Sequence, residues 1–222
     1  MTANTSHAVM AQRHEAPDSL DFFPTPPWAV RAFVEASNID FSNLIAWDPC
    51  CGQGHMAEPL KEYCSEVHAS DIHGYGYGQV GDFLAEPGNN FFPGWMPPEE
   101  VDVIWMNPPF NKAIEFVEAA RRRYPNAYLF VLLRSAWIES EDRYERLFKD
   151  RDTRPHSIHV STERISMVKG TYDPKAGLAT SYSWFVWTPG IPPLDTKIHW
   201  IPFGGKKRFF RQSDTLIGKE MT

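Results

Sequence analysis

Leu44-Ile45-Ala46-Trp47-Asp48-Pro49-Cys50-Cys51-Gly52-Gln53-Gly54-His55 is the stretch that decides the fold. Its first four residues are apolar, the mark of a short buried strand. Asp48-Pro49 ends that strand. Gly52 and Gly54 permit backbone angles and a close approach that a side chain would forbid. Residues 56–63 then read as a helix. Strand, glycine turn and helix make the βα unit that holds nucleotide-like ligands at the carboxyl end of a parallel strand. The turn is not GxGxxG, and it lacks the lysine of a phosphate-binding loop. A carboxylate at the strand end repels phosphate and suits a cation such as an amino group.

Val67-His68-Ala69-Ser70 is a second short strand, ending in Asp71. An acid about 20 residues beyond the glycine turn can accept hydrogen bonds from both ribose hydroxyls. With Asp48 and the glycines, it favours an unphosphorylated nucleoside that carries an amino acid, which describes S-adenosylmethionine. Residues 73–79 form a Gly/Tyr loop to which we assign no role. Gly81-Asp82-Phe83 falls where a third strand should end. There an acid can accept from an adenine amino group and Phe83 can cover the ring; a loop over a buried Phe is the equal alternative.

Residues 101–106 form a branched apolar run that breaks off at Asn107-Pro108-Pro109-Phe110. Two prolines cannot continue a sheet, having no N–H and a locked φ. A stiff turn therefore presents Asn107 beyond the strand's carboxyl end. The Asn107 amide oxygen and the Pro108 carbonyl can accept both hydrogens of a planar –NH₂ group and turn its lone pair towards an electrophile. Phe110 can stack on the ring that carries the amine, an interaction worth roughly 1–3 kcal/mol per base. A plain strand-ending turn is the alternative, since Asn and Pro are ordinary turn formers.

Around these turns, Asp21-Phe22-Phe23-Pro24-Thr25-Pro26-Pro27 reads as an extended segment leading into a helix over residues 28–37, with proline in its first turn. Residues 87–100 are rich in Pro, Gly and Asn and read as a connection. Helices are expected over 112–123 and 139–149, and a fully apolar strand over 128–133. Strand pieces are expected at 157–160 and 165–168, a polar loop at 169–177, and an antiparallel closing strand at 182–188. Alternating strands and helices imply a parallel sheet covered on both faces.

Composition bounds the class. At 222 residues with 42% hydrophobic, the chain holds one domain with a core. It has no apolar run long enough to span a membrane and no signal-peptide core, so a cytoplasmic protein without membrane contact is expected. Cys50, Cys51 and Cys64 form no CxxC pair, and neither a disulfide framework nor a metal site is suggested. The net charge of −6 argues against a large nonspecific nucleic-acid surface. Two basic clusters stand out. Arg121-Arg122-Arg123 suits a helix C-terminus, whereas Lys206-Lys207-Arg208-Phe209-Phe210-Arg211 interleaves cations with aromatics.

Over residues 21–188 the motifs and their order resemble those of S-adenosylmethionine-dependent DNA adenine-N6 methyltransferases of the short phage and prophage kind. They run Phe23-Pro24-Thr25-Pro26, Asp48-Pro49-x-x-Gly52-x-Gly54-His55, Asp71, Asp82-Phe83 and Asn107-Pro108-Pro109-Phe110. Many DNA adenine enzymes have Asp where Asn107 stands. The resemblance implies a Rossmann-like α/β fold of seven strands, mostly parallel with an antiparallel closing strand and helices on both faces. It implies a methyltransferase domain over residues 21–190, after a mobile segment 1–20 and before a tail 191–222 packing on or beside it. It implies that Thr25 and Pro26 hold the methionine carboxylate end, that Asp48, Cys50, Gly52 and Gly54 line the methionine moiety, with Asp48 near the amino group, and that His55 is also cofactor-binding. Asp71, with Ile72 beside it, would hold the ribose, and Asp82 and Phe83 the adenine. Asn107, Pro108, Pro109 and Phe110 would bind the target base, flipped from a duplex or taken from a single strand. No separate recognition domain is visible, so sequence reading is expected from residues 87–100, 169–177 or 196–213, or from a second subunit in a homodimer. The alternatives are another planar amine, on an RNA base or a protein glutamine, and a non-catalytic S-adenosylmethionine-binding partner.

Overall fold

The computed structural model describes residues 21–85, 98–177 and 180–219. The expectations for segment 1–20 and for most of the 87–100 connection lie outside the described residues.

The chain enters through the extended segment 21–26 and turns into helix α1 (Pro27–Ser37), with proline at its first position. Strand β1 (Ile45–Asp48) leads through the glycine turn into a short helix α2 (Ala57–Leu60). Strands β2 (Glu66–Asp71) and β3 (Gln79–Val80) follow, then β4 (Val103–Met106). A single 3-10 turn over Phe110–Lys112 feeds α3 (Ala113–Arg123), which leads to β5 (Tyr128–Arg134). Helix α4 (Glu141–Arg143) continues as a π-helical turn over Tyr144–Phe148. Strands β6 (Ser157–Ser161), β7 (Tyr182–Trp187) and β8 (Lys197–Ile201) precede a last helix α5 (Gly205–Phe209).

The strands form one sheet in the order β3-β2-β1-β4-β5-β7-β6-β8. The left half through β5 is parallel. β7 is antiparallel to β5 and β6, and β8 lies parallel to β6. The order reverses between β1 and β4, and that switch point opens a crevice beyond their carboxyl ends.

Side-chain alternation along β4 builds the layers. Val103 and Trp105 face the α1 side, against Phe33, Phe130 and Trp184; Ile104 and Met106 face the α3 side, with Trp47, Phe116 and Phe185. Both faces are apolar because helices cover both. Such all-apolar strands are what a parallel sheet demands.

The structure departs from the sequence-based expectations in four places. Among the described residues the sheet has eight strands rather than seven, because residues 197–201 pair with β6 at the edge. Residues 165–168 form no strand among the described residues. Ile165 and Met167 are buried against the α1-side core, and only a single bridge, Val168 to Thr171, forms there. Their apolar alternation reflects packing, not pairing. The helix expected over 56–63 is one regular turn long. That expected over 139–149 is helical from Glu141 to Phe148, in a π turn for its second half.

One side chain ties the tail to the front of the chain. Arg31 of α1 is 3% exposed. Its guanidinium forks onto Asp214 at 2.8 and 2.9 Å, reaches Glu62 at 2.8 Å, and donates to the Phe209 carbonyl at 3.0 Å. Bidentate pairing of this kind fixes geometry as well as charge. No helix among the described residues is long and apolar enough to cross a membrane.

Candidate active site at the switch point

β1 stops at Asp48 because Pro49 has no N–H to extend the ladder. The Asp48 carboxylate accepts the Cys50 N–H at 3.2 Å. Asp71, at the end of β2, accepts the Gly52 N–H at 2.9 Å and the His73 N–H at 3.0 Å. The two acids thus anchor the glycine turn at Cys50 and Gly52. Gly52 (φ +52°) and Gly54 (φ +88°) occupy backbone conformations that L side chains rarely adopt. A Cβ added to Gly52 would lie 2.3 Å from the Phe22 ring, and one on Gly54 2.7 Å from the Tyr77 ring. The rings that close this turn therefore need both glycines.

Burial, reinforced by the Asp71 charge, pushes the Asp48 carboxyl up to about 8 against the Cys50 hydrogen bond. Burial also raises Asp71, against its bonds from His73 and Gly52. Two desolvated acids side by side share a demand for positive charge. His55 is 2% exposed, and neither ring nitrogen has a partner among the described residues. Burial lowers its pKa to about 4, so at neutral pH it is an uncharged imidazole with one N–H and one lone pair to offer.

The turn after β4 is built differently. The Asn107 side-chain amide donates to the Phe23 carbonyl at 2.8 Å and to the Thr25 hydroxyl at 3.1 Å, with the Met167 sulfur at 3.5 Å. A carbonyl only accepts, so the amide nitrogen must face it and the amide has one orientation. Its oxygen, Oδ1, is then buried with no hydrogen-bond partner among the described residues. An unpaired buried acceptor costs about 1–3 kcal/mol, which a ligand donor would recover. The Asp21 carboxylate accepts the Phe110 N–H at 2.7 Å, so the segment before α1 grips the turn at both ends.

Between the two turns lies a cavity of about 420 Å³, a size typical of small-molecule sites. Thr25, Asp48, Cys50, His55, Asp71 and Ile72 are on its wall, and so are Asp82, Phe83, Asn107 and Pro109. Phe83 contributes little open surface, being 1% exposed, stacked on Phe116 at 5.5 Å and edge-on to Trp47 at 5.3 Å. Pro26, Gly52, Gly54, Pro108 and Phe110 do not line the cavity. Pro26 caps α1, and Pro108 is buried beneath the turn. Phe110 is half-buried, between Phe23 at 5.6 Å and Tyr182 at 6.1 Å, with the Arg134 guanidinium 4.7 Å over its ring.

Four residues near the site had no assigned chemistry in the sequence. Asp21 holds the Phe110 amide, Met167 touches the Asn107 amide, and Phe22 stacks on Tyr75 at 4.7 Å to form one side of the cavity. Asp21 had a local signal, an acid directly before the Phe-Phe-Pro entry segment. Met167 and Tyr75 had none, since their place depends on how distant segments pack.

No protein-family model matches the chain, and no curated protein sequence does. Solved structures do. A modification subunit assigned to a type I restriction enzyme of Vibrio vulnificus superposes with a TM-score of 0.54 at 16% identity, over 88% of this chain and 51% of that one. A methyltransferase subunit of a type I restriction-modification system from Streptococcus thermophilus gives 0.51 at 10% identity, over 74% and 43%. The chain has the fold of these methyltransferase subunits. It spans about half the length of each. In this methyltransferase fold the Asp48 and Asn107 turns end neighbouring strands, on either side of the switch point.

Proposed function

We propose that the chain transfers a methyl group from S-adenosylmethionine to the exocyclic N6 amine of adenine in DNA, in the manner of the short phage-type enzymes its motifs resemble. The observation that carries this reading is Asn107, which lines a nucleoside-sized cavity with its amide oriented and its buried Oδ1 without a hydrogen-bond partner among the described residues.

The residues present fit the cofactor. Asp48 and Asp71, both raised by burial, call for a cation, and the methionine ammonium is one. Thr25 accepts from Asn107 through its hydroxyl oxygen, which leaves the hydroxyl hydrogen for the methionine carboxylate. His55 lines the same cavity, and both its ring nitrogens are buried without a hydrogen-bond partner among the described residues. Asp71 would hold the ribose, and Asp82 and Phe83 the adenine. When bound, the cofactor supplies a methyl group already activated by its sulfonium.

Asn107 Oδ1 accepts one N6 hydrogen, and the Pro108 carbonyl is the acceptor proposed for the other. Both bonds draw the nitrogen out of conjugation with the ring, so its lone pair becomes nucleophilic. Because Phe23 and Thr25 fix the amide beforehand, no reorganisation is needed at the moment of transfer. With the donor bound, its sulfonium would give up the methyl group to N6 and leave as a neutral thioether, and the surplus proton on N6 would pass to water. Phe110 stacks on the target base once Arg134 moves off its ring.

Incubation with S-adenosylmethionine labelled in its methyl group, with unmethylated DNA in single- and double-stranded form, tests the reading. Nuclease digestion should release labelled N6-methyladenine, and the Asn107→Ala protein should release none above background. Label recovered in RNA or protein instead, or in no polymer, would overturn it.

A further inference from the structure

The edge of the sheet farthest from β3 exposes a surface that the methyl-transfer site does not use. Among the described residues β8 pairs with β6 alone, and Ile198 and Trp200 on one of its faces are 56% and 62% exposed. In the turn that follows, Phe203 is 80% exposed. Lys206 and Lys207 come next, and neither side chain has an ion-pair partner among the described residues. Arg208 is paired with Glu35 at 2.7 Å and Arg211 with Glu62 at 2.7 Å. Residues 196–213 contain no Asp or Glu, in a chain of net charge −6. Glu163, which reaches this segment from the β6 side, is turned to structure, its carboxylate accepting the Gly204 and Lys206 backbone N–H groups at 3.2 and 2.9 Å.

Direction places this surface at the same end of the sheet as the site. β7 is antiparallel to both β5 and β6, and β8 is parallel to β6, so β8 runs the same way as β4. The turn after Ile201 therefore emerges at the same end of the sheet as Asn107. Four strand spacings separate β4 from β8, about 19 Å at about 4.8 Å each.

From this placement we infer that Trp200, Phe203, Lys206 and Lys207 form a landing surface for single-stranded DNA flanking the target base. The inference rests on the DNA-methyltransferase reading above. Exposed aromatics beside unpaired cations are what a strand with unstacked bases requires: rings for the bases and ammonium groups for the phosphates. A closed duplex offers no base faces to Trp200 and Phe203. A strand crossing the rim would also present its target base to the cavity already unpaired, without the cost of flipping.

The test uses the full chain and a fluorescein-labelled 20-nucleotide strand containing adenine, alone and annealed to its complement, with fluorescence anisotropy as readout. The single strand should bind more tightly than the duplex. Loss of one stacked base predicts about 5- to 150-fold weaker binding for Trp200→Ala, and a similar range for Phe203→Ala. Lys206→Ala with Lys207→Ala should lower the slope of log affinity against log salt by about 1.4, from about 0.7 per single-strand phosphate. Unchanged S-adenosylmethionine binding by calorimetry keeps the variants comparable with the parent. Variants that bind both probes like the parent would overturn the surface. So would a preference for duplex, or sedimentation showing that Trp200→Ala removes a dimer and leaves DNA binding intact. The two readings fail separately. Absence of N6-methyladenine product with strand binding still lost in the variants removes the activity and keeps the surface. Intact product formation with unaffected strand binding does the reverse.

Discussion

The turns after β1 and β4 stand side by side at the same switch point, end in the same way at a proline, and are held by opposite means. Asp48 is held locally, by an N–H two residues on, and carries a proton demand raised by burial. Asn107 is neutral, and it is held by groups 84 and 82 residues away in sequence, at Phe23 and Thr25. One turn is therefore an acidic receptor for positive charge. The other is a fixed acceptor for an uncharged amine. A methyl donor that is cationic and a methyl acceptor that is not would be sorted between them by charge alone, before any detail of shape.

The largest expected effect falls on the neutral side. Asn107→Ala should lower methyl transfer by about 10²- to 10³-fold, the range seen when one preorganised hydrogen-bonding group is removed from a catalytic site. S-adenosylmethionine affinity, measured by calorimetry, should move less than threefold. Asn107→Asp should be no better than Ala, although Asp is common at this position in DNA adenine enzymes. A carboxylate there would face the Phe23 carbonyl, where the amide now donates at 2.8 Å. If Asp restores activity, the two turns are not distinguished by charge in the way described.

The acidic turn predicts a pH dependence of known sign. Asp48 has a folded-state pKa near 8, against about 3.9 for an unfolded Asp. The folded free protein thus binds the extra proton, and its stability declines as pH rises between these values. A bound ammonium favours the carboxylate, so cofactor binding should release a proton and tighten up to about tenfold per unit between pH 5 and 7. Calorimetry in buffers of different ionisation enthalpy would count that proton. Asp48→Asn should flatten the profile; an affinity already flat in the parent would break the comparison.

Gly52→Ala should cost about 1–2 kcal/mol of stability from its left-handed backbone alone, with more from the Phe22 ring that its Cβ would meet. Chemical denaturation would read the loss. A neutral result would mean that the turn is looser than its two carboxylate anchors imply. The smallest effect is expected at Arg134. Its contact with Phe110 is exposed on the Arg134 side and should be worth about 0.5–1 kcal/mol. If Arg134 stands where the target base stacks, Arg134→Ala should lower the KM for DNA two- to fivefold and leave kcat unchanged. A raised KM would make Arg134 a DNA contact and not a placeholder.

The same contrast explains what the sequence made legible. Strand ends at Asp48 and Asn107 could be read because proline stops a ladder wherever it stands. The glycine turn could be read because its hydrogen bonds are short-range. The orientation of the Asn107 amide could not, since it is decided by Phe23, Thr25 and Met167, which sequence distance hides. β8 was missed for another reason. Its Lys-Ile-His-Trp-Ile pattern alternates, but an edge strand exposed on both faces lacks the buried signature by which strands are recognised. Ile165 and Met167 erred in the other direction, apolar and buried without a partner strand.

The Arg31 fork has a mechanical consequence. It clamps the C-terminal region, through Asp214 and the Phe209 carbonyl, to the helix whose entry segment supplies Phe23 and Thr25. A push on the outer rim would be passed along α1 to the anchors of the Asn107 amide and not absorbed by the intervening loop. A chain cut by a protease in the exposed stretch around Ile191 and Leu194 would accordingly keep its two pieces in register, the guanidinium acting as a coupling pin beside the β6–β8 ladder.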